Sequence, residues 1–309
     1  MLALAVVDLG AALEPSGGKV QNGLHTPSRR RIVATSILPL LPDFLRTPPG
    51  SMSVALFVPC YIDQFFPDVA IATLELLESL GVDVDYPAGQ TCCGQPMANT
   101  GCVEDTAPVA RRTVELLADY DAVVCPSGSC TAMIRHHYAE YFPEGSPAYE
   151  RVRTRTFELC EYLHDEVKLD RLETTFPYRV SLHQSCHGLR ELRLASSSES
   201  MVPREDKIRK MLQLVDGIQW CMPQRSDECC GFGGTFAVNE ADVSASMGRD
   251  RIADHLQSGS EVLVSADMSC LMHLQGLIRR EKDPLAVMHV AQAMVGRKLP
   301  DRVTSPTAS

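Results

Sequence analysis

Two adjacent cysteine pairs, each followed by glycine, constrain this chain more than any other feature: Cys92-Cys93-Gly94 and Cys229-Cys230-Gly231. Each pair has a lone cysteine upstream (Cys60, Cys186) and another downstream (Cys130, Cys270). The surrounding sequence repeats as well. Val54-Ala-Leu-Phe-Val-Pro-Cys60 aligns with Val180-Ser-Leu-His-Gln-Ser-Cys186, and Thr91-Cys-Cys-Gly-Gln-Pro96 with Glu228-Cys-Cys-Gly-Phe-Gly233. Ala122-Val-Val-Cys-Pro-Ser-Gly-Ser-Cys130 is set against Glu261-Val-Leu-Val-Ser-Ala-Asp-Met-Ser-Cys270, which carries an extra residue in that alignment. A long-period internal repeat with its blocks in one order implies two homologous halves enclosing two similar sites.

The cysteine chemistry follows from geometry. Neighbouring Cα atoms sit about 3.8 Å apart, whereas a disulfide wants roughly 4.4–6.8 Å, so adjacent cysteines are poorly placed to bond each other. Side by side, two thiolates do suit a metal cluster. Cys60, Cys92, Cys93 and Cys130 form one candidate set, and Cys186, Cys229, Cys230 and Cys270 the other. Four thiolates per site match the usual ligand count of an iron–sulfur cluster. A closed tetrahedral zinc site could use the same residues, although zinc knuckles generally space their ligands by two to four residues. Redox-thiol chemistry wants a C-x-x-C pair, which neither half contains.

Composition narrows the class. Twenty-nine basic against thirty-nine acidic residues leave a net charge of −10, which argues against a nucleic-acid surface. Hydrophobic residues at 45% are enough for buried cores, and no apolar run reaches the ~18–20 residues of a membrane span. Twelve cysteines in a chain of 309 residues point to metal or redox chemistry in a reducing cytoplasm rather than to a disulfide scaffold. Residues 1–51 read as a disordered extension or a start assigned too early, with Met52 as initiator. A twin-arginine signal at Ser28-Arg-Arg30 is disfavoured by Pro39, Pro42 and Asp43. Residues 300–309 read as a frayed tail.

Periodicity predicts an α/β protein of two pseudo-repeated open parallel-sheet domains, 52–175 and 176–299. In the first, Val54–Val58 is a continuous apolar strand, Asp68–Leu80 an amphipathic helix, Val82–Tyr86 a strand, Val109–Tyr120 a helix and Ala122–Val124 a strand. In the second, Arg179–Leu182, Asp216–Trp220 and Glu261–Val264 read as strands. Helices are expected over Arg204–Val215, around Ala241–Leu256 and over Ser269–Arg280. Strand–helix alternation implies βαβ units, with each cysteine group at the C-terminal strand ends, where open parallel sheets bind ligands.

The twice-written pattern resembles the cysteine-rich (CCG) domain of the heterodisulfide reductase B subunit, the glycolate oxidase iron–sulfur subunit and lactate utilization protein A. Cys92-Cys-Gly-Gln-Pro-Met-Ala-Asn99, Pro126-Ser-Gly-Ser-Cys130, Ser185-Cys-His-Gly-Leu-Arg-Glu191, Cys229-Cys-Gly-Phe-Gly-Gly234 and Cys270-Leu-Met-His273 are most similar to the lactate utilization A group. The resemblance spans about Met52 to Leu299. It implies [4Fe-4S] clusters on the eight cysteines; zinc in one half stays the alternative from the residues themselves. It also implies an electron-transfer component of a cytoplasmic oxidoreductase complex that oxidises L-lactate, or another 2-hydroxy acid, to the keto acid. Its partners would be a ferredoxin-type iron–sulfur subunit and a third subunit. A heterodisulfide-reductase-like thiol/disulfide subunit and a zinc-stabilised assembly subunit are the rival readings. Heterodisulfide reductase carries a fifth cysteine per site; here those positions hold Ser127 and Asp267, candidate extra ligands through oxygen.

The remaining cysteines, Cys102, Cys160 and Cys221, read as structural thiols, and Cys125, at the end of the strand Ala122–Val124, as a buried structural thiol with a stray ligand to the first site as the alternative. His183, His187 and His273 flank ligand positions and are candidates for hydrogen bonds to cluster sulfur. Gly231-Phe-Gly-Gly234 lacks the context of a dinucleotide loop. The chain offers no catalytic base paired with a hydroxy-acid clamp, so no catalytic residue is assigned.

Overall fold

The computed structural model describes residues 52–299; the expectations for 1–51 and 300–309 lie outside the described residues. All described residues fall within one compact unit, which holds two four-stranded parallel sheets. The first contains β1 (Val54–Leu56), β2 (Val84–Asp85), β3 (Ala122–Cys125) and β4 (Thr156–Glu158) in the order β2-β1-β3-β4. The second contains β5 (Arg179–Leu182), β6 (Gln219–Trp220), β7 (Val262–Ser265) and β8 (Ala286–His289) in the order β6-β5-β7-β8. The two orders are the same, so the repeat read from the cysteines extends to topology.

The central strands β1, β3 and β7 are buried throughout. Helices on both faces cover such strands, which is why they read as apolar runs rather than alternations. The helix Pro67–Ser79 turns Val69, Ala72, Leu76 and Leu77 inward. Its second-half neighbour in the core is the helix Val290–Met294, and one cluster joins Leu76 and Leu77 to Leu182, Val290 and Met294. A second shared cluster joins Leu56, Val58 and Ile62 to Leu263, Leu271 and Leu274. The halves therefore fold against each other across common apolar cores.

Three sequence expectations need correction. The register removes the extra residue assigned to the second downstream block: β1 pairs Val54 with Ala122, and β5 pairs Val180 with Val262, so Ala122 corresponds to Val262 and Ser127 to Asp267. Strands β2 and β6 are shorter than expected, two residues each, the length over which each keeps register with β1 or β5. The fourth strands, β4 and β8, were not anticipated. Each is a short segment, Thr156-Phe-Glu158 and Ala286-Val-Met-His289, leading straight into a helix.

Order reverses between β1 and β3 in one sheet and between β5 and β7 in the other, because the chain leaves the inner pair toward opposite edges. A crevice opens at such a switch point beyond the carboxyl ends of the strands. Cys60 and Cys130 lie just past β1 and β3, Cys186 and Cys270 just past β5 and β7.

Candidate metal centre

All eight candidate cysteines line one cavity of about 90 Å³. The burial pattern repeats: Cys93, Cys130, Cys230 and Cys270 are buried, whereas Cys60, Cys92, Cys186 and Cys229 are partly exposed. In the first site, Cys60 Sγ lies 3.5 Å from Cys92 Sγ, and Cys93 Sγ lies 3.4 Å from Cys130 Sγ. In the second site the same thiols are electrostatic neighbours, Cys186 of Cys229 and Cys230 of Cys270.

Glycine makes the Cys-Cys turn. Gly94 and Gly231 adopt φ of +84° and +87°, a region open to glycine at little cost. In that conformation the Gly94 amide donates to Cys92 Sγ at 3.4 Å and the Gly231 amide to Cys229 Sγ at 3.3 Å. A Cβ on Gly231 would stand 2.7 Å from both Met247 Cβ and Ser244 O, whereas on Gly94 the nearest atom, Thr106 Cγ2, would be 3.1 Å away.

The loop before each pair is held differently. In the first half, Gln90 accepts from Val58 N at 2.8 Å and donates to Leu56 O at 2.9 Å, fastening the loop to the end of β1. In the second, the fully buried Arg251 pairs with Asp254 at 2.8 Å and donates to Arg225 O, while Asp254 accepts from Gln224 N at 2.9 Å and Arg225 N at 3.0 Å.

Electrostatics separate the thiols. Cys92 is pulled down to about 3, first by the Cys60 hydrogen bond, then by Cys93 and by the Gly94 amide against opposing burial. Cys229 is pulled down to about 2 in the same manner by Cys186, Cys230 and Gly231. Their partners Cys60 and Cys186 are pushed up, chiefly because each donates its thiol hydrogen to the neighbouring thiolate. Cys93 and Cys230 are pushed up by the same thiol contacts and by burial. Each site thus favours one thiolate among neutral thiols; ionising the rest requires a cation between them. Soft thiolates in that number fit zinc, copper(I) or an iron–sulfur cluster.

Ser127 and Asp267 occupy equivalent positions facing each other in an isolated bridge between the halves. Ser127 Oγ caps the helix Gly128–His136, accepting from Cys130 N at 3.3 Å. Asp267 Oδ2 accepts from Ser129 N of the other half at 2.7 Å, and Oδ1 accepts from Ser269 N at 3.1 Å and Ser269 Oγ at 2.6 Å. Ser127 lines the cavity and Asp267 is not among its lining residues. Other ties cross the site: Gln95 Nε2 meets His187 Nε2 at 3.1 Å, and Tyr61 stands edge-on to Phe232 with centroids 5.9 Å apart.

Of the other cysteines, Cys125 is buried and donates to Ser127 O at 3.7 Å, and its thiol beside Cys130 is the largest cause of the raised Cys130 thiol. Cys160 is buried in the helix Leu159–Asp165, Cys102 is exposed and Cys221 partly so. None of these four lines the cavity. His183 is buried, and one of its ring nitrogens lies within 4.8 Å of the Cys230 and Cys270 sulfurs. His187 Nδ1 is 3.7 Å from Cys186 Sγ, and His273 turns instead to Ser244 O at 3.3 Å. Arg251 and the buried His255 behind the second site went unnoticed in the sequence. Both sit in a helix whose pattern gives no sign that a charged side chain points inward.

Two like-ordered parallel sheets that bring matching Cys-Cys-Gly turns to one cavity define a duplicated cysteine-rich domain. The family model described as "Cysteine-rich domain" (CCG) matches twice, over residues 54–135 and 180–275, and the chain belongs to this family. It is 39% identical over 246 residues to "Lactate utilization protein A" of Exiguobacterium sp., covering 78% of this chain and 96% of that protein. It is 37% identical over 248 residues to the protein of the same name from Bacillus subtilis, covering 80% of this chain and all of the relative. No helix among the described residues is long and apolar enough to cross a membrane.

Proposed function

We propose that this chain is an iron–sulfur electron-transfer subunit of a cytoplasmic oxidoreductase complex that oxidises L-lactate to pyruvate. The complex would include a ferredoxin-type iron–sulfur subunit and a third subunit. The observation that carries the reading is the convergence of two four-thiol sites on one cavity, in a chain whose relatives are named for lactate utilization. Cys60, Cys92, Cys93 and Cys130 would hold one cluster, and Cys186, Cys229, Cys230 and Cys270 the other. When bound, a cluster supplies one-electron storage at a potential set by charge, hydrogen bonds to sulfur and exposure.

The chain's own residues supply the rest. Gly94 and Gly231 amides direct N–H dipoles at the Cys92 and Cys229 sulfurs, favouring added negative charge. Burial of Cys93, Cys130, Cys230 and Cys270 keeps water from half of each ligand set, while the partly exposed cysteines leave each site within reach of a partner's redox centre. Ser127 and Asp267 act in this reading as helix caps that bind the halves together. Their oxygens are already engaged, so each site keeps four thiolates.

Metal and acid-labile sulfide analysis of the anaerobically purified full chain, with EPR of the reduced protein, tests the reading. Roughly eight irons and eight sulfides per chain, four for each cluster, are expected. Zinc alone, with no iron taken up on reconstitution, would replace the relay with a structural site. Turnover of small disulfides by the purified chain would favour the thiol/disulfide reading instead.

A further inference from the structure

The two sites share a ligand pattern but not their surroundings, and the difference centres on one residue. Phe57 and His183 hold the same place, one residue past the ends of β1 and β5. Each makes the same backbone bond, Phe57 N to Val124 O at 2.9 Å and His183 N to Val264 O at 2.8 Å. Both side chains are buried. The first half therefore shows what the fold accepts here when packing alone decides: a phenyl ring.

His183 brings polarity to that place with nothing among the described residues to receive it. Neither ring nitrogen has a hydrogen-bond partner. The nearest imidazole, His255, stands edge-on at 6.0 Å between centroids and directs its own Nδ1 to Ser181 Oγ at 2.7 Å. A buried polar group left unpaired is destabilising, so a packing role alone would favour the phenylalanine of the first half. What His183 does face is sulfur, since a ring nitrogen lies within 4.8 Å of both Cys230 and Cys270. A neutral imidazole carries one N–H to donate.

We propose that His183 donates this N–H to a sulfur of the cluster held at the second site, and thereby gives that site the greater affinity for an electron. The inference rests on the iron–sulfur reading above. A hydrogen bond to cluster sulfur stabilises the reduced, more negative form and raises the potential. The first site has only the Phe57 ring at the corresponding place. An electron from a one-electron reductant therefore settles at the second site before the first.

The test uses the anaerobic full chain with both sites loaded, labelled with 15N-histidine and examined by pulsed EPR and potentiometric titration. One reduced signal should carry a histidine nitrogen coupling beyond that of His187, and that signal should belong to the higher-potential site. His183→Phe, which copies the first half, should lose this coupling with iron and sulfide content unchanged. Its second-site potential should fall toward that of the first, by about tenfold in electron affinity, or about 59 mV for one electron. His183→Gln retains an N–H donor and should recover most of the potential. An unchanged coupling and unchanged potentials in His183→Phe would overturn the proposal. So would loss of second-site iron in both variants, which would make His183 a ligand rather than a donor. A parent chain that takes up no iron would instead fail the iron–sulfur reading itself, and the inference with it.

Discussion

The two halves of the molecule agree in their sulfur positions and disagree in almost everything placed behind them. Strand order, the glycine turn, the burial of each cysteine and the helix cap before each downstream cysteine recur. Behind the first site stand Phe57, Cys125 and a neutral Gln90 clamp; behind the second stand His183, Ser265 and a buried Arg251–Asp254 pair. Duplication preserves what ligation needs, namely the angle and spacing of four thiols. Residues that tune charge around those thiols are free to diverge, because they alter electronic properties without moving the ligands. If the two sites hold clusters as proposed, the same donors need not make them two copies of the same redox centre.

The largest effect expected from breaking this equivalence comes from the cysteine pairs. Cys92→Ser or Cys93→Ser should remove about half of the bound iron and visible absorbance, one cluster of two, and Cys229→Ser or Cys230→Ser the other half. Cys221→Ser should leave both intact, because its thiol does not line the cavity. Retention of all iron in a Cys93→Ser chain, with loss in Cys221→Ser, would overturn the site assignment.

A finer distinction lies in the glycines. Alanine at either turn meets the same backbone penalty, about 1 kcal/mol for the positive φ. At Gly231 the added methyl also collides with Met247 and the Ser244 carbonyl at 2.7 Å, an overpacking strain of about 1–3 kcal/mol more. Gly231→Ala should therefore be the less stable variant in urea denaturation and should lose second-site iron, while Gly94→Ala keeps most of its first-site iron. Equal losses would mean that the φ requirement alone governs both turns.

How much of this was legible in the sequence depends on the scale. The parallel α/β class, the duplication and the strands that end at cysteines could be read from apolar runs and repeated cysteines, because both are dictated by local spacing. The fourth strands could not. Thr156-Phe-Glu158 shows no long apolar run, and only its pairing with Val123–Cys125 makes it a strand. Contacts between halves were equally hidden: Asp267 with Ser129, or His289 with Pro126, are residues far apart in sequence that meet only once both sheets exist. Ser127 and Asp267 were conspicuous as non-cysteine residues at ligand-like positions. That they also cap helices and bridge the halves needed three dimensions.

The smallest expected effect uses the last strands, where the halves place opposite chemistry in one role. Glu158 at the end of β4 and His289 at the end of β8 each cap the following helix through a capping box, and both are fully buried. Burial disfavours the charged form of either. It raises Glu158 from 4.5 to about 8 and lowers His289 from 6.5 to about 4. Between pH 4.5 and 8 the folded chain keeps a proton on Glu158 that the unfolded chain has lost, so stability present below that window falls as pH rises through it. Between pH 6.5 and 4 the unfolded chain protonates His289 while the folded chain does not, so stability present above that window falls as pH drops through it. The acid limb is shared with His183, His255 and the first half's His136, all held low by burial, and with Cys92 and Cys229, whose lowered thiols add stability as pH rises. On the alkaline side burial also raises Asp206 in the second half, so Glu158 is one contribution to a net slope that the two thiols oppose. In urea denaturation, the stability of Glu158→Gln relative to the parent chain should rise as pH increases from 4.5 to 8. His289→Asn should cost about 1 kcal/mol at every pH for the lost bond to the Pro126 carbonyl, and should reduce the acid limb without abolishing it. An unchanged pH profile in Glu158→Gln would mean that the contrast between the two capping residues carries no weight in the stability of the molecule.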